Sequence, residues 1–448
     1  MSHLTERTLG LFAIDPARVS PADAAHLRSC SECQAALRDL REFEKLLREP
    51  ESWTGVAHAA RRAGVDELRE FAVRSAEEDE EALRLLEEFS EPGAAARFVS
   101  ANIPARPEYQ TGGVARLLCR WANGMCVRKP LYALKLAEAA TVISQMLPDA
   151  SYPRKTIHEL RGDALKEQAN ALRFLGRFPE ALVAVENAEI EYRKLPQESP
   201  GLVGATLVRG TILFEQDDLE GAQKAAAEAA HAALRVGDAA RHLSARNLLG
   251  YILFERYDHT AAAKVFEASL QRGIADADAA AVAADSLSLG LCCLEIGKLG
   301  EASRFLQDAL RYYTAAGSSP FLTRTHWAVA RLIFAQGNPY EAIYRLQRCI
   351  DEFTRFEILS DAALVAVDLA EVLNAVGRTG QISKVLAGTV KTFIDAGKLT
   401  SALTALAYLK DATGSGSLTP ELFEYIRRFV RRAERQPELL FAPPPRPL

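Results

Sequence analysis

Near the head of the chain runs "HLRSCSEC", which spaces His26, Cys30 and Cys33 by four residues and then three. Imidazole and thiolate are donors that tetrahedral zinc takes up. On an α-helix each residue advances by about 100°, so with His26 at zero Cys30 falls at about 40° and Cys33 at about −20°. All three then project from one narrow stripe of a single helix, which "QAALRDLREFEKLL" continues. A fourth ligand must come from elsewhere. His3 is the candidate, because it precedes "LTERTLGLFAID", a helical segment able to fold back against the second helix. Two other chemistries fit the same residues. A CxxC redox pair usually follows a strand in a βαβ context, and no strand pattern precedes this one. Two cysteines can also sit in a core as small hydrophobes beside an incidental histidine. The histidine four residues before the CxxC, on the same face, favours zinc.

The elements that must hold such a site belong to a chain of 448 residues, too long for one compact core. Hydrophobic content of 48% and charged content of 25% are ordinary for a globular protein. The net charge of −5 gives no bulk attraction to nucleic acid or an anionic membrane. No run approaches the ~18 apolar residues of a membrane span, and "MSHLTERTLGLFAIDPARVS" lacks the basic start of a secretory signal. Seven scattered cysteines, an odd number, make no disulfide framework, so a reducing cytoplasm is expected.

Strand signals are almost absent, and apolar residues recur at three and four, so the fold class is all-α. Small residues stand at Ala169, Gly210, Gly250, Gly290, Ala330 and Ala370, at intervals of 41, 40, 40, 40 and 40. Twelve residues after each comes Ala181, Ala222, Ala262, Ala302, Ala342 or Ile382. Between the two markers lies a turn with Gly or Asp, as in "LGRFPEA" and "EQDDLEGA". This predicts two antiparallel helices per repeat, with small residues where the backbones cross closely and a turn that ends the first helix. "FERYDHTAAAKVF", in the third repeat, lacks the turn glycine.

The pattern resembles tetratricopeptide repeats, over roughly residues 160–395. It departs from them in its period of about 40 instead of the usual ~34 and in the missing early aromatic. HEAT-like repeats have a nearer period, but the twelve-residue spacing of small residues favours the tetratricopeptide type. An earlier pair is expected in "ARLLCRWANGMCVRKPLYALKLAEAATVISQML". A last pair is expected in "LTSALTALAYLKDA" and "LTPELFEYIRRFVRRAERQ", its charged final helix serving as a solenoid cap.

"HLRSCSEC", preceded by "HLTERTL", resembles the N-terminal domain of zinc-binding anti-sigma factors. The resemblance implies zinc on His3, His26, Cys30 and Cys33, and a chain of the bacterial kind in which such a zinc finger precedes tetratricopeptide repeats. The expected organisation is a zinc-binding helical domain over 1–50, an acidic helical linker over 51–112, a repeat solenoid over 113–435 and a proline-rich, mobile tail over 436–448. The run "EEDEE" reads as a solvated helix face.

No other chemistry emerges. The remaining histidines form no metal or nucleophile spacing, and there is no GxSxG, phosphate loop or HExxH, so no enzyme is expected. Cys119, Cys126, Cys292, Cys293 and Cys349 lie in apolar helical patterns and read as core. A solenoid's usual task is to hold a protein or peptide on its concave face, lined by the first helix of each pair. Asn170, Arg173, Asn247, Tyr251, Trp327 and Arg331 are the candidate partner-binding residues there, since Trp and Arg make typical anchors. The expectation is a cytoplasmic regulatory protein whose zinc domain holds a transcription regulator such as a sigma factor, with no direct contact to nucleic acid or membrane. The alternative is an assembly scaffold in which zinc only stabilises the N-terminal fold.

Overall fold

The forty-residue spacing of the sequence becomes a run of antiparallel helix pairs. The computed structural model describes residues 4, 8–9, 12, 19–48, 57–89, 98, 102–195, 198–275, 278–317, 319–396, 401–436 and 439–444. Among these there are 19 α-helices and no strand, so the fold is all-α and tetratricopeptide-like. In chain order come α1 (Pro21–Ser29), α2 (Ser31–Arg48), α3 (Ala57–Leu85), α4 (Gly112–Met125) and α5 (Pro130–Met146). Seven pairs follow: α6 (Arg154–Phe174) with α7 (Phe178–Arg193), α8 (Pro200–Glu215) with α9 (Leu219–Arg235), and α10 (Ala239–Glu255) with α11 (His259–Ala275). Then come α12 (Ala279–Ile296) with α13 (Leu299–Ala316), α14 (Pro320–Ala335) with α15 (Pro339–Arg355), and α16 (Leu359–Ala375) with α17 (Thr379–Asp395). The last is α18 (Ser401–Gly414) with α19 (Pro420–Arg435). Contacts divide the chain into two compact units, residues 1–121 with 139–160, and residues 122–138 with 161–448.

In the larger unit the small-residue markers lie where the helices cross. Ala169, Ala330 and Ala370, and all six markers of the second helices, are fully buried. Gly290 is needed for its lack of a side chain, since a Cβ there would stand 2.5 Å from Leu306 Cδ2. The turns inside the pairs share one design. Arg177, Asp218, Asp258, Lys298, Asn338 and Arg378 each donate a backbone N–H to the carbonyl five residues earlier, and the residue before each has positive φ. This is a Schellman closure, which satisfies carbonyls that a helix end leaves orphaned. Asp217 and Tyr257 take the positive-φ position where the other four turns have glycine. Ser199, Asp218, Asp238, Asp258, Asp278, Ser319 and Thr419 then cap the following helices through their side chains.

The first helices of neighbouring pairs touch one another from α8 to α10 and from α12 through α18, and form one face of this unit. α12 is long and apolar enough to cross a membrane by length and composition, but half of it is buried between its neighbours, as a core helix should be. The final helix departs from the capping role expected of it. α19 packs against α18 and also against α16, the first helix of the preceding pair. Its amphipathic pattern is the cause: Phe423, Ile426, Val430 and Ala433 are buried in the core formed with α16 and α18. Part of the proline-rich segment, expected to be mobile, is also docked. Phe441 sits against the rings of Tyr408, Tyr425 and Phe429, and the Tyr425 hydroxyl donates to the Ala442 carbonyl at 2.7 Å.

In the smaller unit, α3 carries the acidic run, and two of its acids are not solvated as expected. Glu78 accepts from the Tyr152 hydroxyl (2.7 Å) and the Gly113 amide (3.2 Å), and Asp79 pairs with Arg116 at 2.8 Å. A Cβ on Gly113 would fall 2.3 Å from the Glu78 carbonyl oxygen, so glycine permits this close approach. Glu77, Glu80 and Glu81 stay exposed.

Candidate functional site

The three residues of the opening motif do converge. The ligand atoms of His26, Cys30 and Cys33 all lie within 4.8 Å of one another. They do not share one helix, as the spacing suggested. α1 ends at Ser29, Cys30 is extended (φ −106, ψ 110) and α2 starts at Ser31. The break has a local cause. Ser29 Oγ donates to the carbonyls of Ala25 and His26, and the Gln34 side-chain amide donates to those of Leu27 and Arg28. Side chains thus take carbonyls that a continuing helix would use.

Cys33 is buried in a small core with Leu9, Phe12 and Leu37, while His26 and Cys30 are half-buried. The Leu4 amide donates to Cys33 Sγ at 3.3 Å. That bond favours the Cys33 thiolate, but burial and the neighbouring Cys30 and Glu32 outweigh it and hold the thiol above its ordinary value. His3 lies outside the described residues. The donor set fits zinc. Tetrahedral bonds of about 2.3 Å to sulfur and about 2.0–2.1 Å to nitrogen give an N···S edge of about 3.6 Å, and His26 Nε2 is 3.5 Å from Cys33 Sγ. The N–H bond from Leu4 is the outer-sphere support that a thiolate ligand uses.

The other five cysteines are all buried. Burial pushes Cys126 up to about 11, and Cys292 and Cys349 up to about 12, so these thiols are inert core at neutral pH.

On the face of first helices, the residues singled out for partner binding fall into two groups. Arg173 pairs with Glu215 and lies 4.0 Å over the Phe174 ring, leaving its Nε buried without a partner. Asn170 donates to Glu167 at 3.4 Å. Asn247 Oδ1 is a buried acceptor with no donor. Tyr251 is 44% exposed, its ring edge-on to Phe266. Trp327 and Arg331, like Arg173 and Asn170, are bound to their own chain. The Trp327 indole N–H donates to Asp368 (2.7 Å), and Arg331 reaches Glu295 (2.8 Å) and Asp368 (3.6 Å).

Asp368 is a hub that the sequence did not disclose. It also accepts from Arg427 Nε at 2.8 Å, and Arg427 in turn pairs with Glu371 and Glu424. Burial pushes the Asp368 carboxyl up, but Arg427 and Arg331 outweigh it and hold it below the usual carboxylate value. Beside the hub is a cavity of about 310 Å³ between α19 and the first helices, floored by Phe254, Leu294 and Phe334. The sequence traces of this arrangement are Trp327 and Arg331, singled out above as anchors, and the missing turn glycine at Tyr257, which lines the cavity.

No protein-family model matches this sequence, and no curated protein matches it. Solved structures do. Aspartyl phosphate phosphatase F from Bacillus subtilis is similar at 11% identity over 88% of this chain and 95% of its own, with a TM-score of 0.51. The quorum sensor NprR from B. thuringiensis, in its apo form, is similar at 11% identity over 73% of this chain and 99% of its own, with a TM-score of 0.46. NprR in complex with its cognate peptide NprX gives 13% identity, 80% and 98% coverage, and a TM-score of 0.46. At 11% identity the likeness to the first of these is one of fold, a tetratricopeptide-like helical repeat.

Proposed function

We propose that this is a non-enzymatic, cytoplasmic regulatory protein in which a zinc-clipped N-terminal helix pair and a repeat array each bind protein partners. The observation that carries the reading is the convergence of His26, Cys30 and Cys33 on one point, with spacing suited to a zinc tetrahedron. His3, next to Leu4 in the chain, is the proposed fourth ligand. When bound, zinc would supply folding energy; with four protein ligands it leaves no position for water activation. His26 would hold the end of α1, Cys30 the break and Cys33 the first turn of α2, fixing the angle between two helices that share only a small core. The helix pair would then offer a fixed surface to a transcription regulator such as a sigma factor. The repeat face would hold a second partner, with exposed Tyr251 as an aromatic contact.

Metal analysis tests this directly. Freshly reduced wild type is expected to carry about one zinc per chain, and His26→Ala or Cys30→Ala to lose it. No stoichiometric zinc in the wild type refutes the metal reading. Pull-downs with and without residues 1–50 assign partners to each half, and a sigma factor retained after that deletion removes the anti-sigma role.

A further inference from the structure

α19 reaches well beyond its own pair. Residues four apart on a helix form one stripe, and Glu424, Arg428, Arg432 and Gln436 continue such a stripe to just past the helix end. Glu424 accepts from the Tyr257 hydroxyl at 2.9 Å, and the Arg428 guanidinium lies 4.1 Å over the Tyr257 ring. Arg432 pairs with Asp217 at 2.8 Å, and the Gln436 side chain donates to the Gln216 carbonyl at 2.6 Å. Asp217 and Tyr257 are the two residues that hold positive φ in turns where the other pairs use glycine. A side chain in that conformation is costly for the backbone, and here both side chains meet α19.

We propose that the turns at Asp217 and Tyr257 form an interaction surface for a basic helix bearing arginines four residues apart, and that α19 occupies it in cis as a latch. This deepens the protein-binding reading above by naming the partner's chemistry. Charge and shape support that occupant: an acid at Asp217, an aromatic face at Tyr257 for a guanidinium, and a carbonyl acceptor at Gln216. The latch is separable from its anchor. Phe423, Ile426 and Val430 are buried, whereas the side chains of Arg428 and Arg432 are half exposed, at 53% and 50%. Exposed ion pairs exchange readily and weaken with salt. A partner helix can therefore replace the last turns of α19 at these two turns while Phe423 and Ile426 stay in place, at the cost of releasing Val430 and Ala433.

A labelled peptide of residues 419–436, titrated into the full-length protein, tests the surface. R428A/R432A opens the latch in cis and is expected to bind the peptide about tenfold tighter than wild type, the worth of two exposed charge contacts. That gain should vanish when D217N and Y257A are added, and at salt of about 0.5 M. Equal affinity for wild type and R428A/R432A, or affinity indifferent to D217N/Y257A, overturns the proposal. A second measurement needs no peptide: D217N alone should speed hydrogen exchange over residues 428–436, and unchanged exchange there overturns the latch. Zinc content and pull-downs through residues 1–50 report on the earlier reading independently, so the two can fail separately.

Discussion

Single carboxylates in this protein are placed at opposite extremes. Asp285 is buried on α12, where its carboxylate accepts from the Ser269 hydroxyl at 2.6 Å. Burial pushes its carboxyl up to about 6. A folded value above the unfolded one, about 3.9, means the native state holds the proton more tightly. Stability from this group is therefore fully present below pH ~3.9 and is lost as pH rises through about 6. Asp285→Asn should raise the unfolding free energy by up to about 3 kcal/mol at pH 7.5, and by nearly nothing below pH ~4. Chemical denaturation of both proteins at the two pH values checks this, and an equal effect at both would reject it. Asp368 is the reverse case: buried, but held ionised by Arg331 and Arg427. Asp368→Ala leaves two guanidiniums without their shared partner and should cost about 3–5 kcal/mol. The same substitution should do less harm in acid, because stability from a depressed carboxyl is present above its unfolded value and lost as pH falls through its folded one. A denaturation midpoint at pH 7 that matches wild type would remove Asp368 as the hub.

At the scale of elements, the repeat pattern reads directly from sequence because it arises from short-range constraints. The small markers recur twelve residues apart within one pair, and Gly290 packs against Leu306 across a single turn, so they carry local information. The prediction divides glycines accordingly. Gly290→Ala drives a Cβ to 2.5 Å from Leu306 Cδ2 and 2.7 Å from Cγ, and should destabilise by about 1–3 kcal/mol. Gly388→Ala, exposed in the middle of α17 with open space around it, should stabilise by about 0.5–1 kcal/mol. Thermal melts of the two variants should therefore move in opposite directions. The donors of the N-terminal site were legible for the same local reason, since eight residues hold all three. The helix break at Cys30 was not, because it depends on the Ser29 and Gln34 side chains competing for carbonyls, and periodicity does not register that competition. Nor was the docking of α19. Its apolar residues predict some buried face, but nothing in residues 420–435 names α16 or the turns at 217 and 257 as the surface they meet.

For the larger unit as a whole, α19 joins contacts that a repeat array otherwise keeps between neighbours. Stability in such arrays is mostly a sum of nearest-neighbour interfaces, so damage normally stays local. Burying Leu422, Phe423, Ile426, Phe429 and Val430 against α16 and α18 contributes on the order of 10 kcal/mol, an upper estimate. The exposed pairs at the far end of α19 add up to about 1 kcal/mol each. Truncation before Thr419 should therefore unfold mainly the C-terminal pairs, exposing the faces of α16 and α18, while α7 to α9 keep their protection. The same truncation should also quicken exchange at two distant turns, around Tyr257 and around Gln216, whose α19 partners lie 167 and 220 residues away in sequence. Nearest-neighbour coupling alone would leave those turns protected when their own pairs remain folded. Hydrogen exchange resolved by repeat separates the outcomes: loss confined to the C-terminal pairs rejects the long-range contact, and uniform loss rejects the repeat-like independence of the pairs. Loss at the C-terminal pairs together with the two isolated turns is the pattern expected of a helix anchored at the C-terminal end of the array and latched to its second and third pairs.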